Sequence, residues 1–151
     1  MIFDGFTTNM STTDPKYPII ELRVALTTSA FERSVKFYCD GLGLEASQFW
    51  KNGQGRAMIL NMGNATLEIF DETQAHTIDQ IETEQRISGQ IRFALQVPDL
   101  KAAMERLLTH GAILVHPPVI TPWGDYNVRF QDPDGMQITL FQKFDQDEQG
   151  K

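Results

Sequence analysis

Two stretches of the chain alternate apolar and polar residues and then switch to a helical period. In "IELRVAL" (20–26), Ile20, Leu22, Val24 and Leu26 lie on one side of an extended strand, against Glu21, Arg23 and Ala25. In "IRFALQV" (91–97), Ile91, Phe93, Leu95 and Val97 likewise oppose Arg92, Ala94 and Gln96. A polar break follows each strand. Phe31, Val35, Tyr38 and Leu42 then recur at helical spacing, as do Leu100, Met104 and Leu107 with Ala103 and Leu108 beside them. Ser29 with Glu32 reads as a capping box, Pro98–Asp99 as a stop and N-cap, and Gly111 as a helix-ending turn. "AMILNM" and "ATLEIF" read as strands joined by Gly63–Asn64. "AILVH", "YNVRF" and "MQITLF" read as three more, the last introduced by the turn "DPDG". "ASQFWKN" reads as an outer strand, with Phe49 and Trp50 facing a pocket or a partner copy. The acidic stretch "DETQAHTIDQIETEQRISGQ" (71–90) reads as a surface linker with room for one helical turn.

These elements repeat. With Arg23 laid on Arg92, an offset of 69, "RVALTTSAFERSVKFY" covers "RFALQVPDLKAAMERL". At an offset of 71, "MGNATLEIF" covers "PDGMQITLF". A strand–helix–strands unit therefore occurs twice, at about 18–72 and 90–142, with the linker at 73–89 and mobile ends at 1–17 and 143–151. The apolar strand faces must meet the amphipathic helices. Arg23, Arg92, Thr66, Glu68, Phe70, Gln137, Thr139 and Phe141 then face the other way. If the sheet curls, Arg23, Glu68, Arg92 and Thr139 converge on its concave surface.

Composition narrows the function classes. The chain has 151 residues, a net charge of −7 and a pI near 4.8. That balance argues against nucleic acid and anionic membrane surfaces as partners, since both need a positive field. No apolar run reaches the ~20 residues of a membrane helix, and residues 1–18 lack the pattern of a secretory signal. The single Cys39 excludes an internal disulfide and fits a reducing cytoplasm; it reads as a small helix residue rather than a nucleophile. His76, His110 and His116 read as surface residues, and neither a Ser–His–Asp set nor a phosphate-cradling loop is present.

"ELRVALTTSAFERSVKFYCDGLGL", "FALQVPDLKAAMERLLTHGA" and "PWGDYNVRFQDPDGMQITLF" resemble the vicinal-oxygen-chelate superfamily, which includes glyoxalase I, bleomycin-resistance proteins and extradiol dioxygenases. The resemblance covers about residues 18–142 and is most specific in the "PWG" loop and "RF.DPDG" turn. It implies an α+β fold: two βαβββ modules forming a curved mixed-sheet cup, with helices on the convex face and commonly a homodimer. The positions that hold metal ligands in metal-using members fall here on Arg23, Glu68, Arg92 and Thr139. Guanidinium offers no lone pair, and one carboxylate cannot replace the three or so protein ligands of a catalytic divalent ion. The expectation is therefore a site with no metal and no cofactor.

Two readings of the cluster follow. In one, Glu68 bridges both arginines and fills the place of a metal. In the other, an arginine keeps free donors and grips a carboxylate, phosphate or enolate-like oxygen. Phe70, Phe141 and Trp123 are the aromatic candidates for walls or a lid. The leading functional expectation is a metal-independent small-molecule binder with Arg23, Glu68, Arg92, Thr139, Phe70, Trp123 and Phe141 as ligand-binding residues. The alternative is a cofactor-independent lyase or isomerase with Glu68 as the catalytic candidate. A carboxylate pinned between arginines is expected to have a lowered pKa, which counts against that alternative. A metal-dependent glyoxalase or dioxygenase ranks last.

Overall fold

The structure is a computed structural model, and it describes residues 17–144. Eight strands form a single curved open sheet in the order β2-β3-β4-β1-β5-β8-β7-β6. The first unit contains β1 (Leu22–Thr27), α1 (Phe31–Lys36, continued by a π-helical turn Phe37–Gly41), β2 (Ala46–Asn52), β3 (Gly55–Met62) and β4 (Ala65–Phe70). Next comes α2 (Glu72–Thr83). The second unit contains β5 (Ile91–Gln96), α3 (Leu100–Thr109), β6 (Ile113–Ile120), β7 (Asp125–Gln131) and β8 (Gln137–Lys143). In each unit the first strand pairs in parallel with the last, β1 with β4 and β5 with β8. The antiparallel β1–β5 pair joins the two units at the middle of the sheet.

The alternation read from sequence sorts the side chains onto two faces. On the convex face, Leu60, Leu67 and Ile69 pack with Phe31 and Val35 of α1 and Tyr38 of its π-helical continuation, while Val128, Phe130 and Leu140 pack with Leu100 and Ala103 of α3. Each such side chain contributes about 1.5–3 kcal/mol when fully buried. Asp99 caps α3 as expected, accepting from the Ala102 amide at 3.0 Å, and His110 Nδ1 lies 2.7 Å from the Arg106 carbonyl at the other end. Ile59 lines the cup and Ala57 is buried on the same face under Ile78 of α2, whereas Met58 and Leu60 belong to the convex cluster.

Several local expectations are corrected. Ser29 does not cap α1; Thr28 Oγ1 accepts from the Ala30 amide at 3.0 Å, and Glu32 instead pairs with Arg56. Leu42 leaves the apolar face because the π turn takes more residues per turn than an α-helix, which shifts the register. His116 does not close β6. The strand continues through Pro117 and Pro118 to Ile120, with register shifts that an outermost strand tolerates because one side of it needs no donors.

The largest correction concerns the stretch read as a surface linker. Twelve of its residues form α2, and this helix lies on the concave side, so the helices are not all on the convex face. Asp71 caps it by accepting from the Gln74 amide at 2.8 Å. Ile78 packs with Ala25, Ala57 and Phe70. Where α2 crosses the β2–β3 turn the backbones meet closely. A Cβ at Gly55, whose φ is +123°, would stand 2.3 Å from the Gln74 nitrogen.

Candidate functional site

The register sets out the concave surface in rows. Ile59, Glu68, Ala25 and Arg92 lie abreast on β3, β4, β1 and β5. One row on, Thr66, Arg23, Ala94, Thr139 and Arg129 lie abreast on β4, β1, β5, β8 and β7. Neighbouring strands are about 4.8 Å apart, so the four positions singled out by sequence do come to adjacent places. A cavity of about 1120 Å³ opens over them, lined also by Trp50, Phe70, Phe141, Trp123 and Asp125. It is large enough for a drug-sized molecule.

Neither arginine is bridged by Glu68. Arg23 donates to both oxygens of Glu21, at 3.2 and 3.3 Å, and to Asp125 at 3.2 Å, with its guanidinium 4.2 Å from the Phe141 ring centre. Arg92 turns to α2, donating to Asp79 at 2.9 Å. The same carboxylate accepts from Arg86 and Ser88 and lies 3.4 Å from Arg129, while Glu82 pairs with Arg129 and accepts from Asn127. Thr139 receives a hydrogen bond from Arg129 Nε at 3.0 Å. The side chains of Asp79 and Arg129 are 0 % and 1 % exposed, so this ion network is a buried seam that fastens α2 to the second unit. Burial alone would raise the Asp79 carboxyl, but Arg92, Ser88 and Arg129 outweigh it and hold it below its ordinary value.

Glu68 is left alone. It has no hydrogen bond or ion pair among the described residues and is half-buried against the cavity. Burial pushes its carboxyl up to about 7; Arg23 and Arg92 pull the other way, and Glu21 and Glu82 add to the rise. This reverses the expected lowering, because burial outweighs the pull of the two arginines, neither of which bonds to Glu68. The consequence for stability has a definite sign. The folded state holds this proton more tightly than the unfolded chain, so ionisation costs stability as pH rises from about 4.5 to 7, and the cost is full above 7. Glu68→Gln is therefore expected to stabilise the protein at pH 8 by about 2–3 kcal/mol and to be nearly neutral at pH 4.5. Thermal unfolding at both values checks this; a loss of stability at pH 8 would contradict it.

The residues at the expected metal positions do not fit a divalent ion. Two are guanidiniums engaged by carboxylates, and no group of three His, Cys, Asp or Glu among the described residues is placed to hold a metal. Sequence reasoning missed Asp79, Glu82, Asp125, Asn127 and Arg129. The last three were legible in "DYNVRF": Tyr126, Val128 and Phe130 belong to the convex core, so alternation turns Asp125, Asn127 and Arg129 toward the cup. Trp123 is 46 % exposed on the β6–β7 turn and stands at the rim.

Paired strand–helix–strands units, joined edge to edge around one concave site, define the class. Residues 22–140 match the Glyoxalase/Bleomycin resistance protein/Dioxygenase superfamily, and the chain belongs to that family. A catechol-2,3-dioxygenase of Bacillus subtilis (strain 168) is 30 % identical over 123 residues, 77 % of this chain. The chain spans only 39 % of the length of that relative. The uncharacterised protein YraH of the same strain is 27 % identical over 124 residues, covering 80 % of this chain and 95 % of YraH. Among solved structures, methylmalonyl-CoA epimerase from Mycobacterium tuberculosis superposes with a TM-score of 0.67 at 18 % identity, covering 92 % of this chain and 98 % of the other; that likeness is one of fold.

Proposed function

We propose that this protein binds a small organic molecule in the concave cup and does so without a divalent metal. The supporting observation is the cavity of about 1120 Å³ over positions where arginines, already neutralised by carboxylates, replace metal ligands. Phe70, Phe141 and Trp123 supply apolar walls, and Glu68 is the polar group open to a ligand. The proposal places the protein in the cytoplasm as a homodimer. Exposed Phe49 on β2 and Ile113 and Ile120 on β6 sit on the two outermost strands, which remain free to pair or pack. No helix among the described residues is long and apolar enough to cross a membrane.

One observation favours a second reading, cofactor-independent isomerase or lyase chemistry. A carboxyl near pH 7 with no partner suits both taking and returning a proton. Native mass spectrometry at neutral pH tests the proposal in one measurement. The expected spectrum shows twice the 17.1 kDa chain, no stoichiometric metal and a mass increment from retained or added organic ligand. One equivalent of bound metal would overturn the metal-free reading, and a monomer alone would remove the dimer. Exchange of a ligand carbon-bound hydrogen for deuterium in D₂O, lost in Glu68→Gln, would move the assignment to the second reading.

A further inference from the structure

The charge pattern of the cup narrows the class of molecule it takes, on the footing that the cup is a binding site as proposed above. Glu21, Arg23, Glu82, Arg92, Asp125 and Lys143 line the cavity, and each is in an ion pair. Arg92 and Glu82 are paired through Asp79 and Arg129, which are themselves buried. Among the described residues, Glu68 is the one charged lining group with no ion pair and no hydrogen bond. An arriving anion thus meets guanidiniums whose charge is already balanced, and must compete with Glu21, Asp125 or Asp79 for them. An arriving ammonium or hydroxyl meets a carboxylate that has nothing to give up.

We propose that the ligand is an aromatic molecule carrying a protonated amine, whose ammonium is seated on Glu68 while its ring lies against Ile59 and Trp50 on the β2–β3 flank of the cup. Ile59 lies abreast of Glu68 on the neighbouring strand β3, and Trp50 lines the cavity one strand further out on β2, so apolar surface and acceptor share one flank of the cup. The guanidiniums then serve the architecture: Arg92 fastens α2, and Arg23 ties β1 to β7 through Asp125. The groups whose charge reaches Glu68 are Arg23 from β1, Glu21 just before that strand, Arg92 from β5 and Glu82 from α2. The proton that Glu68 carries below pH 7 must leave before an ammonium is seated, so binding strengthens as pH rises from 6 to 8.

The test uses three fluorescent probes with a common ring system on the full chain. Dansylcadaverine carries an ammonium, its N-acetyl derivative is neutral, and the dansyl derivative of 6-aminohexanoic acid is an anion. At pH 8 the ammonium probe is expected to bind at least about tenfold more tightly than the other two, the scale of a charge-assisted bond. Glu68→Gln is expected to lower the affinity of the ammonium probe at least about tenfold and so abolish that preference, with a cooperative thermal unfolding transition showing that the variant is folded. Equal or tighter binding of the anion, or an ammonium preference that survives Glu68→Gln, overturns the ligand class and leaves the binding cup standing. Failure of all three probes at about 1 mM removes the binding cup itself, and this inference with it.

Discussion

Asp79→Ala is expected to lower the unfolding free energy by about 3–5 kcal/mol, a large part of the stability of an ordinary domain. The side chain is fully buried and accepts from Arg92, Arg86, Ser88 and the Ile87 amide, with Arg129 3.4 Å away. Removing it leaves the buried Arg92 guanidinium without an ion pair and Arg129 with Glu82 alone. The cost comes from the stranded cations rather than from the lost attraction, because a buried ion pair gains little over its desolvation. Arg92→Met in the same chain is therefore expected to restore about half of the loss. Urea unfolding of the two single variants and the double variant measures the coupling. A loss below about 1 kcal/mol for Asp79→Ala, or additive effects in the double, would show that the seam does not hold α2.

Gly55→Ala is the second large effect, expected to cost about 3 kcal/mol or more. Two independent penalties act there. A φ of +123° lies in a region that side-chain-bearing residues rarely adopt, and the added Cβ would stand 2.3 Å from the Gln74 nitrogen and 2.5 Å from its Cα. Both contacts are with backbone at the start of α2, so the helix must move away from β3. Hydrogen exchange should then show residues 72–83 opening well before the central strands. Gly53, two residues earlier in the same turn, meets nothing within 4 Å and has no positive φ. Gly53→Ala is therefore expected to stay within about 0.5 kcal/mol of the parent. Equal effects at the two positions would refute the close approach of α2.

Much of this architecture was legible because strand and helix periods are local. In β1, β4, β5 and β8 the alternation separated Val24, Leu67 and Leu140 from Arg23, Glu68 and Thr139 with no reference to anything distant in sequence. The four positions of the cup followed from that alternation plus the internal repeat. The helix α2 was not legible by the same rule. Its buried positions, Gln74, Ala75, Ile78, Asp79, Glu82 and Thr83, do recur with a helical period, but most are polar. An apolar-face criterion passes over such a helix, because its partners Arg92 and Arg129 lie 13 and 50 residues away on strands.

The charge state of Glu68 shows the same division. From sequence, two arginines beside one carboxylate imply attraction and a lowered pKa. The folded chain offers the arginines Glu21, Asp125 and Asp79 at hydrogen-bond distance, and Glu68 keeps only their residual field against its own burial. The order of residues along the chain by itself determined the strands, the helices α1 and α3, the two-unit repeat, the faces of the central strands and the absence of a plausible metal-ligand set at the four family positions. Tertiary structure alone decided which carboxylate each arginine pairs with, where α2 lies and which acid remains free. Backbone periodicity acts over a few residues, whereas ion pairing and desolvation depend on distances of a few ångströms between groups that only the closed sheet brings together.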